Sequence, residues 1–413
     1  MRIEEPEGNQ PKMSNSSPII VRKTMNPRVN AFACLVLCVP LFAPLSLLMA
    51  EEPQAAAPNN GDGIAAALQP FVERHTLAGA VTLVASKDKV LSLEAVGFAD
   101  IGANKPMKTD ALFWIASQSK PITASALMML VDEGKVNVED PVEKYLPEFK
   151  EQMVAVGKEP PRKPSHPIKV REVLSHSSGM NFSSPKEKPT LDSLPLRDAV
   201  ASYPLMPLHS EPSTKYQYAN AGINTAGRII EVVSGMPYEE FLQKRLFDPL
   251  GMKDTTFWPT EEQVQRLAKS YKPTKDKTGL EETTVTQLRY PLTDRTRGPM
   301  PAGGLFSTAP DMARFCQMIL NGGTLDGKRY LSEEAVKQMT SKQTADVIKD
   351  GYGFGWSTNG GTFGHGGAYS TDMSIDTKRG LITIWMVQHA GYPGDGGKSH
   401  GAFKQAAEAK YGK

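Results

Sequence analysis

Cysteine is scarce in this chain of 413 residues: there are three, and Cys34 and Cys38 share one apolar segment. Cys316 is then alone in the rest of the chain, which excludes an intrachain disulfide framework there. Histidine is sparse as well. The seven (His75, His166, His176, His209, His365, His389 and His400) form no H-x-H or H-E-x-x-H pattern, so neither a metal nor a metal cofactor is expected. Neither sign of charge is in excess: 47 Lys+Arg stand against 45 Asp+Glu, and beyond residue 50 the two are equal at 42 each. A chain without surplus positive charge has no global electrostatic reason to seek nucleic acid. Internal repeats and low-complexity tracts are absent. What is present, 40% hydrophobic and 22% charged residues, is the material of an ordinary folded protein with a large core.

The one long apolar run is Ala31–Ala50, AFACLVLCVPLFAPLSLLMA, preceded by Arg22, Lys23 and Arg28 and followed by the polar, Pro/Gly-rich EEPQAAAPNNGDG. Basic flank, apolar body and a small residue at Ala50 read as a secretory signal peptide over residues 1–50, with 51–63 as a linker. The rival is an uncleaved membrane anchor, since the run is nearly long enough to span a bilayer. Export to the periplasm or medium is expected on either reading. Residues 1–24 are long and partly acidic for a leader; translation from Met25 gives a conventional one.

Residues 64–413 read as the functional domain. AVTLVA (80–85) and VLSLEAVGFA (90–99) flank the turn SKDK, a hairpin pattern. A strand-rich block closes the chain: YGFGW, MSIDT, the turn KRG, then LITIWMVQ, with AFKQAAEAKYG as a helix on that sheet. Roughly 124–300 is helical and rich in loops. Strands at both ends with helices between predict an α/β (α+β) fold, one antiparallel sheet built from distant parts of the chain plus an inserted helical subdomain. Cys316 lies in STAPDMARFCQMIL, where Met312, Phe315, Ile319 and Leu320 keep helical spacing, and reads as a buried small hydrophobe.

Three short elements carry the chemistry. Ser117-Gln118-Ser119-Lys120 opens a helical stretch, SQSKPITASALMMLVDEG, and a spacing of three puts Ser117 and Lys120 on one face. Pro121 is tolerated only in a first turn, which sets Ser117 at the helix start, where free N–H groups favour developing negative charge. A serine hydroxyl needs a neighbour to take its proton, and Lys120 is within reach. Ser86–Lys89 and Ser183–Lys186 repeat the spacing but read as a hairpin turn and a Pro-containing loop. Tyr218-Ala219-Asn220 lies at a loop-to-helix junction. Beside a cation the Tyr218 phenol would favour phenolate and shuttle protons, and Asn220 would offer its amide; the plainer readings are a packed aromatic and a helix cap. For a third element, a polar residue followed by glycine on a strand, His365-Gly366-Gly367 is preferred to Lys277-Thr278-Gly279, because KPTKDKTG reads as a solvated turn.

In this order and at these separations Ser-x-x-Lys, Tyr-x-Asn and His-x-Gly resemble the serine β-lactamase and penicillin-binding protein superfamily, in particular its class C branch with its esterases and D-amino-acid peptidases. VREVLSHSSGM, PYEEFLQKRLFDPLGMKDTTF, PAGGLFSTAPDMARF and GYGFGW…FGHGG extend the likeness over nearly all of 64–413. The resemblance implies a five-stranded antiparallel sheet with helices on both faces and an all-helical subdomain. It implies Ser117 as nucleophile, Lys120 and Tyr218 as a shared general base, and Asn220 and His365 holding the substrate. The N–H groups of Ser117 and Ala368, the latter following Gly367, would form an oxyanion hole. The expected partner is a small-molecule or peptide acyl substrate, cleaved through an acyl-enzyme without a cofactor; a slowly acylating sensor on the same fold is the alternative. Histidine at 365, where many β-lactamases have lysine, shifts weight toward ester or peptide hydrolysis. His176 is read as structural, and His389 and His400 are left without a role.

Overall fold

The computed structural model describes residues 63–349 and 351–412; the segment 1–50 and nearly all of the linker lie outside the described residues. GAVTLVA, a run of small and β-branched residues stopped by the Ser86–Lys89 turn, forms β1 (Gly79–Ala85), and the chain returns as β2 (Val90–Asp100) and a short β3 (Lys105–Pro106). The remaining strands come some 250 residues later: β4 (Ser357–Asn359), β5 (Thr362–Gly366), β6 (Asp372–Asp376) and β7 (Leu381–Met386). All pair antiparallel in the order β4-β5-β6-β7-β1-β2-β3. The pairing from Val81↔Met386 to Ala85↔Ile382 joins the two ends of the domain. The five expected strands are the central ones, and short strands at both edges extend the sheet to seven.

Every residue of β1 is buried, so both faces of the sheet are covered. Val81, Leu83 and Ala85 pack in the main core with Met312, Phe315, Cys316 and Ile319 of a helix at Ala309–Leu320. Ala80 and Val84, on the other face by the two-residue period, join Trp385, Phe403 and Ala407 beneath the closing helix, Ser399–Tyr411. Cys316 is fully buried, and burial pushes its thiol far above the ordinary range, so it is an inert packing group.

The helix that carries Lys120, α1 (Ser119–Asp132), is buried on all sides from Ser119 to Leu130. Pro121 sits in the first turn, where no amide is needed, the good helix formers ALMML (126–130) follow, and a largely apolar surface suits a helix enclosed by others. It packs on α2 (Asn220–Ser234). The expectation of an all-helical insert needs correction. Hairpins occupy Val154–Val156 with Glu159–Arg162, and Ser270–Pro273 with Leu280–Thr283. Pro160 and Pro161 bar helix in the first and a Lys275–Gly279 turn sets the second. YGFGW is likewise no strand: Gly355 has φ +76°, and the Phe354 and Gly355 amides donate to Met339 and Leu174 carbonyls instead of a ladder.

One buried ion pair fastens the long loop beneath the site. Arg297 Nε donates to Asp192 at 2.7 Å with both side chains almost fully enclosed, and Nη1 donates to the Phe257 and Leu292 carbonyls. Replacing one partner leaves a buried charge uncompensated, so Arg297→Met is expected to cost about 3–5 kcal/mol in a denaturant titration. A loss below about 1 kcal/mol would mean that the pair is dispensable.

Candidate active site

The chain enters the site through a short strand, Phe113–Trp114, and turns at Ala116, whose φ of +46° is unusual for a residue with a side chain. A 3₁₀ turn, Ala116–Gln118, then leads into α1. Such strain is held only where the surroundings fix it. Here Ser119 Oγ donates to the Ala116 carbonyl at 2.7 Å, and the Gln118 carboxamide oxygen, oriented by the donors around it, accepts from the Asp372 and Met373 amides of β6. The result is selective exposure: between Ala111 and Leu130 only Ser117 is not buried.

Lys120 Nζ lies 2.9 Å from Ser117 Oγ and donates to the Ala302 carbonyl at 2.7 Å. Its side chain is entirely enclosed, and burial holds the amine well below the ordinary lysine range. A neutral amine at hydrogen-bond distance can accept the Ser117 proton. Tyr218 completes the group: its ring centroid is 4.6 Å from Lys120 Nζ and its hydroxyl lies beside Ser117. The expectation of a phenolate is reversed. Burial raises the Tyr218 pKa, and a deprotonated Lys120 supplies no cation to lower it, so the phenol keeps its proton.

Asn220 is the first residue of α2, and its side chain makes no capping bond, which removes the helix-cap reading. Its Oδ1 is buried and has no donor among the described residues. His176 bears on the same loop: Nδ1 accepts from the Ala219 amide at 3.2 Å and its ring lies 4.4 Å from that of Tyr218. Its structural reading stands. Burial keeps its pKa far below that of a free imidazole.

β5 brings His365 to the site, with ring centroids of His365 and Tyr218 6.2 Å apart. Lys277 sits exposed in the turn of the Ser270–Thr283 hairpin, as do Ser86–Lys89 in the β1–β2 turn. The chemistry of His365 differs from expectation in two ways. Burial pulls its pKa down to about 4, so it is neutral at pH 7. Both nitrogens are also engaged: Nδ1–H donates to the Gly366 carbonyl at 2.7 Å and Nε2 accepts from the Tyr352 hydroxyl at 2.9 Å. His365 therefore braces the strand end and offers no free nitrogen to a ligand. Tyr352, within GYGFGW, and the Ala302 carbonyl, within PAGGLF, are contacts that sequence reasoning missed: it singled out the stretches but assigned these groups no role.

After His365 the chain passes very close to the Ser117 turn. A Cβ on Gly367 would lie 2.1 Å from Thr371 Oγ1 and 2.7 Å from the Ile115 carbonyl oxygen. Only glycine permits this approach, which carries the exposed Ala368 alongside the start of the Ser117 helix. Of the remaining histidines, His389 Nε2 accepts from the Ala78 amide at 3.1 Å and His400 pairs with Asp372 at 3.3 Å, so both support the sheet.

Residues 64–407, which hold the serine, lysine and tyrosine and the antiparallel sheet with helices on both faces, match a known family described as beta-lactamase. The chain belongs to the beta-lactamase family. It is a serine hydrolase of that fold. Among its relatives, Protein Rv1367c of Mycobacterium tuberculosis is 31% identical over 80% of this chain and 90% of that protein. Esterase EstB of Burkholderia gladioli is 28% identical over 81% and 91%. The solved structure of EstCE1, a hydrolase with promiscuous acyltransferase activity, superposes with a TM-score of 0.69 at 23% identity, covering 83% of this chain and 97% of that one.

In this beta-lactamase-family hydrolase the close approach at Gly367 is testable. Gly367→Ala is expected to lower kcat about 100-fold or more, the effect of a displaced backbone donor, and to lower the unfolding temperature by a few degrees because the added Cβ meets Ile115 and Thr371. Unchanged kcat would show that the Ala368 amide takes no part.

Proposed function

We propose that this protein is an exported esterase that hydrolyses neutral carboxylic esters through an acyl-enzyme on Ser117. The observation that carries the reading is the buried Lys120 amine, its pKa held well below the ordinary lysine range, 2.9 Å from the one hydroxyl of its turn that is not fully buried. Lys120 takes the Ser117 proton as Ser117 Oγ attacks the ester carbonyl, and the N–H groups of Ser117 and Ala368 receive the oxyanion. Tyr218, which holds its proton, passes it to the departing alkoxide and is replenished through Lys120. Water then enters by the same base and releases the acid. Asn220 Oδ1, lacking a donor, is free to accept from the substrate.

The preference for esters over β-lactams and D-amino peptides rests on position 365. Those substrates carry a carboxylate, and a permanent cation would bind it; a neutral His365 with both nitrogens engaged does not. The relation to Esterase EstB supports the same choice. A charge-assisted hydrogen bond contributes about 1.5–3 kcal/mol, so p-nitrophenyl butyrate is expected to be turned over about 100-fold faster than benzylpenicillin, with loss of ester activity in Ser117→Ala. Equal turnover of the two, or a lasting penicilloyl adduct on Ser117, would overturn the ester reading in favour of a lactamase, peptidase or sensor.

The pH dependence follows from the two buried bases. Lys120 must be deprotonated, so kcat/KM is expected to rise with pH through its lowered pKa and to hold at neutral pH, where an ordinary lysine would be protonated. His365, with its pKa at about 4, is neutral throughout pH 6–8 and adds no fall there. A rate that declines between pH 6 and 8 would require a cationic histidine and contradict this assignment. Export follows from the Ala31–Ala50 run, and the mature enzyme is expected to begin near Glu51 by N-terminal sequencing.

A further inference from the structure

A cavity of about 360 Å³ lies between the helix Glu261–Arg266, the Ser270–Thr283 hairpin, the loop Tyr290–Thr293 and Gln388 just beyond β7. None of Ser117, Lys120, Tyr218, Asn220 or His365 lines it. Its size falls within the range of small-molecule sites, about 300–1,000 Å³, and such sites are mainly apolar with a few placed polar groups.

The walls have that character. Leu267, Val285 and Leu292 line it and belong to the apolar layer that includes Trp114 and Tyr369. The Tyr369 hydroxyl donates to the Thr284 carbonyl at 2.8 Å and accepts from the Thr286 amide, which fixes the wall next to the loop after β5. Gln388 is almost wholly buried. Its Nε2 donates to the Trp114 carbonyl at 3.3 Å, and this fixes the amide orientation and leaves Oε1 an acceptor with no donor among the described residues. A buried acceptor left unpaired is unfavourable, and a ligand O–H or N–H would satisfy it. At the rim stand Glu261, Glu282 and Lys269, with Lys269 held 2.6 Å from Glu282, so the entrance carries a net negative charge that turns anions away.

We propose that this cavity is a second ligand site, separate from the catalytic groove, for a small neutral apolar molecule with one hydrogen-bond donor, of the phenol or short-chain alcohol class. The proposal does not rest on the ester reading, because it invokes none of the catalytic groups.

Ligand-observed NMR titration of the purified enzyme with phenol, toluene and benzoate tests it. Phenol is expected to bind about 10-fold more tightly than toluene, which lacks the donor, and benzoate not at all. Val264→Trp and Thr293→Phe, which fill the cavity from half-buried positions, are expected to abolish phenol binding while ester turnover persists. Phe182→Ala, at the exposed ring stacked 6.5 Å from Tyr218, is expected to leave phenol binding unchanged. The proposal fails if phenol does not bind at millimolar concentration, or binds no better than toluene. It fails equally if binding survives both filling variants or is lost in Phe182→Ala, which would place the ligand in the catalytic groove.

Discussion

A lysine side chain with no exposed surface and no carboxylate partner among the described residues is the constraint on which the rest of this site depends. Placing an ammonium in such an environment is costly, and the group answers by giving up its proton. The Ala302 carbonyl takes one of its N–H bonds and fixes the amine against Ser117. Everything nearby is consistent with that neutrality: the phenol of Tyr218 stays protonated, and two imidazoles within the same pocket, His176 and His365, stay uncharged. The site is thus an assembly of enclosed donors and acceptors whose pKa values are set by burial.

Burial on this scale needs scaffolding from distant segments. Helix α1 is enclosed by α2 and by the segment Met300–Leu305, and the sheet that supports β5 closes only because β7 pairs with β1 across nearly the whole length of the domain. The Ser117 turn is held from three directions: by Ser119 on Ala116, by Gln118 on β6, and by the backbone contact of Gly367 with Ile115. A strained residue at position 116 persists because these contacts leave it no alternative. The Tyr218 loop is held likewise, by His176 from behind and by the start of α2.

The sequence by itself determined the parts whose physics is local. Hairpin periodicity located β1 and β2, Pro121 marked the first turn of α1, and the three-residue spacing put Ser117 beside Lys120. The flanking residues separated the Ser117–Lys120 motif from the other two Ser-x-x-Lys patterns and His365 from Lys277, since turn composition is itself a local property. Protonation states were decided elsewhere. Tyr218 was expected as a phenolate and His365 as a partial cation because neighbouring residue types suggest charge, whereas desolvation depends on how completely the fold encloses each group. Tyr352, Gln118 and the Ala302 carbonyl gained their roles only when segments remote in sequence came together. YGFGW, strand-like in pattern, became coil because its amides found carbonyls at the ends of helices. Local pattern fixes which atoms lie next to each other along the chain; only the tertiary structure sets how much water reaches them, and in this protein the exclusion of water is what lowers the pKa of the Lys120 amine.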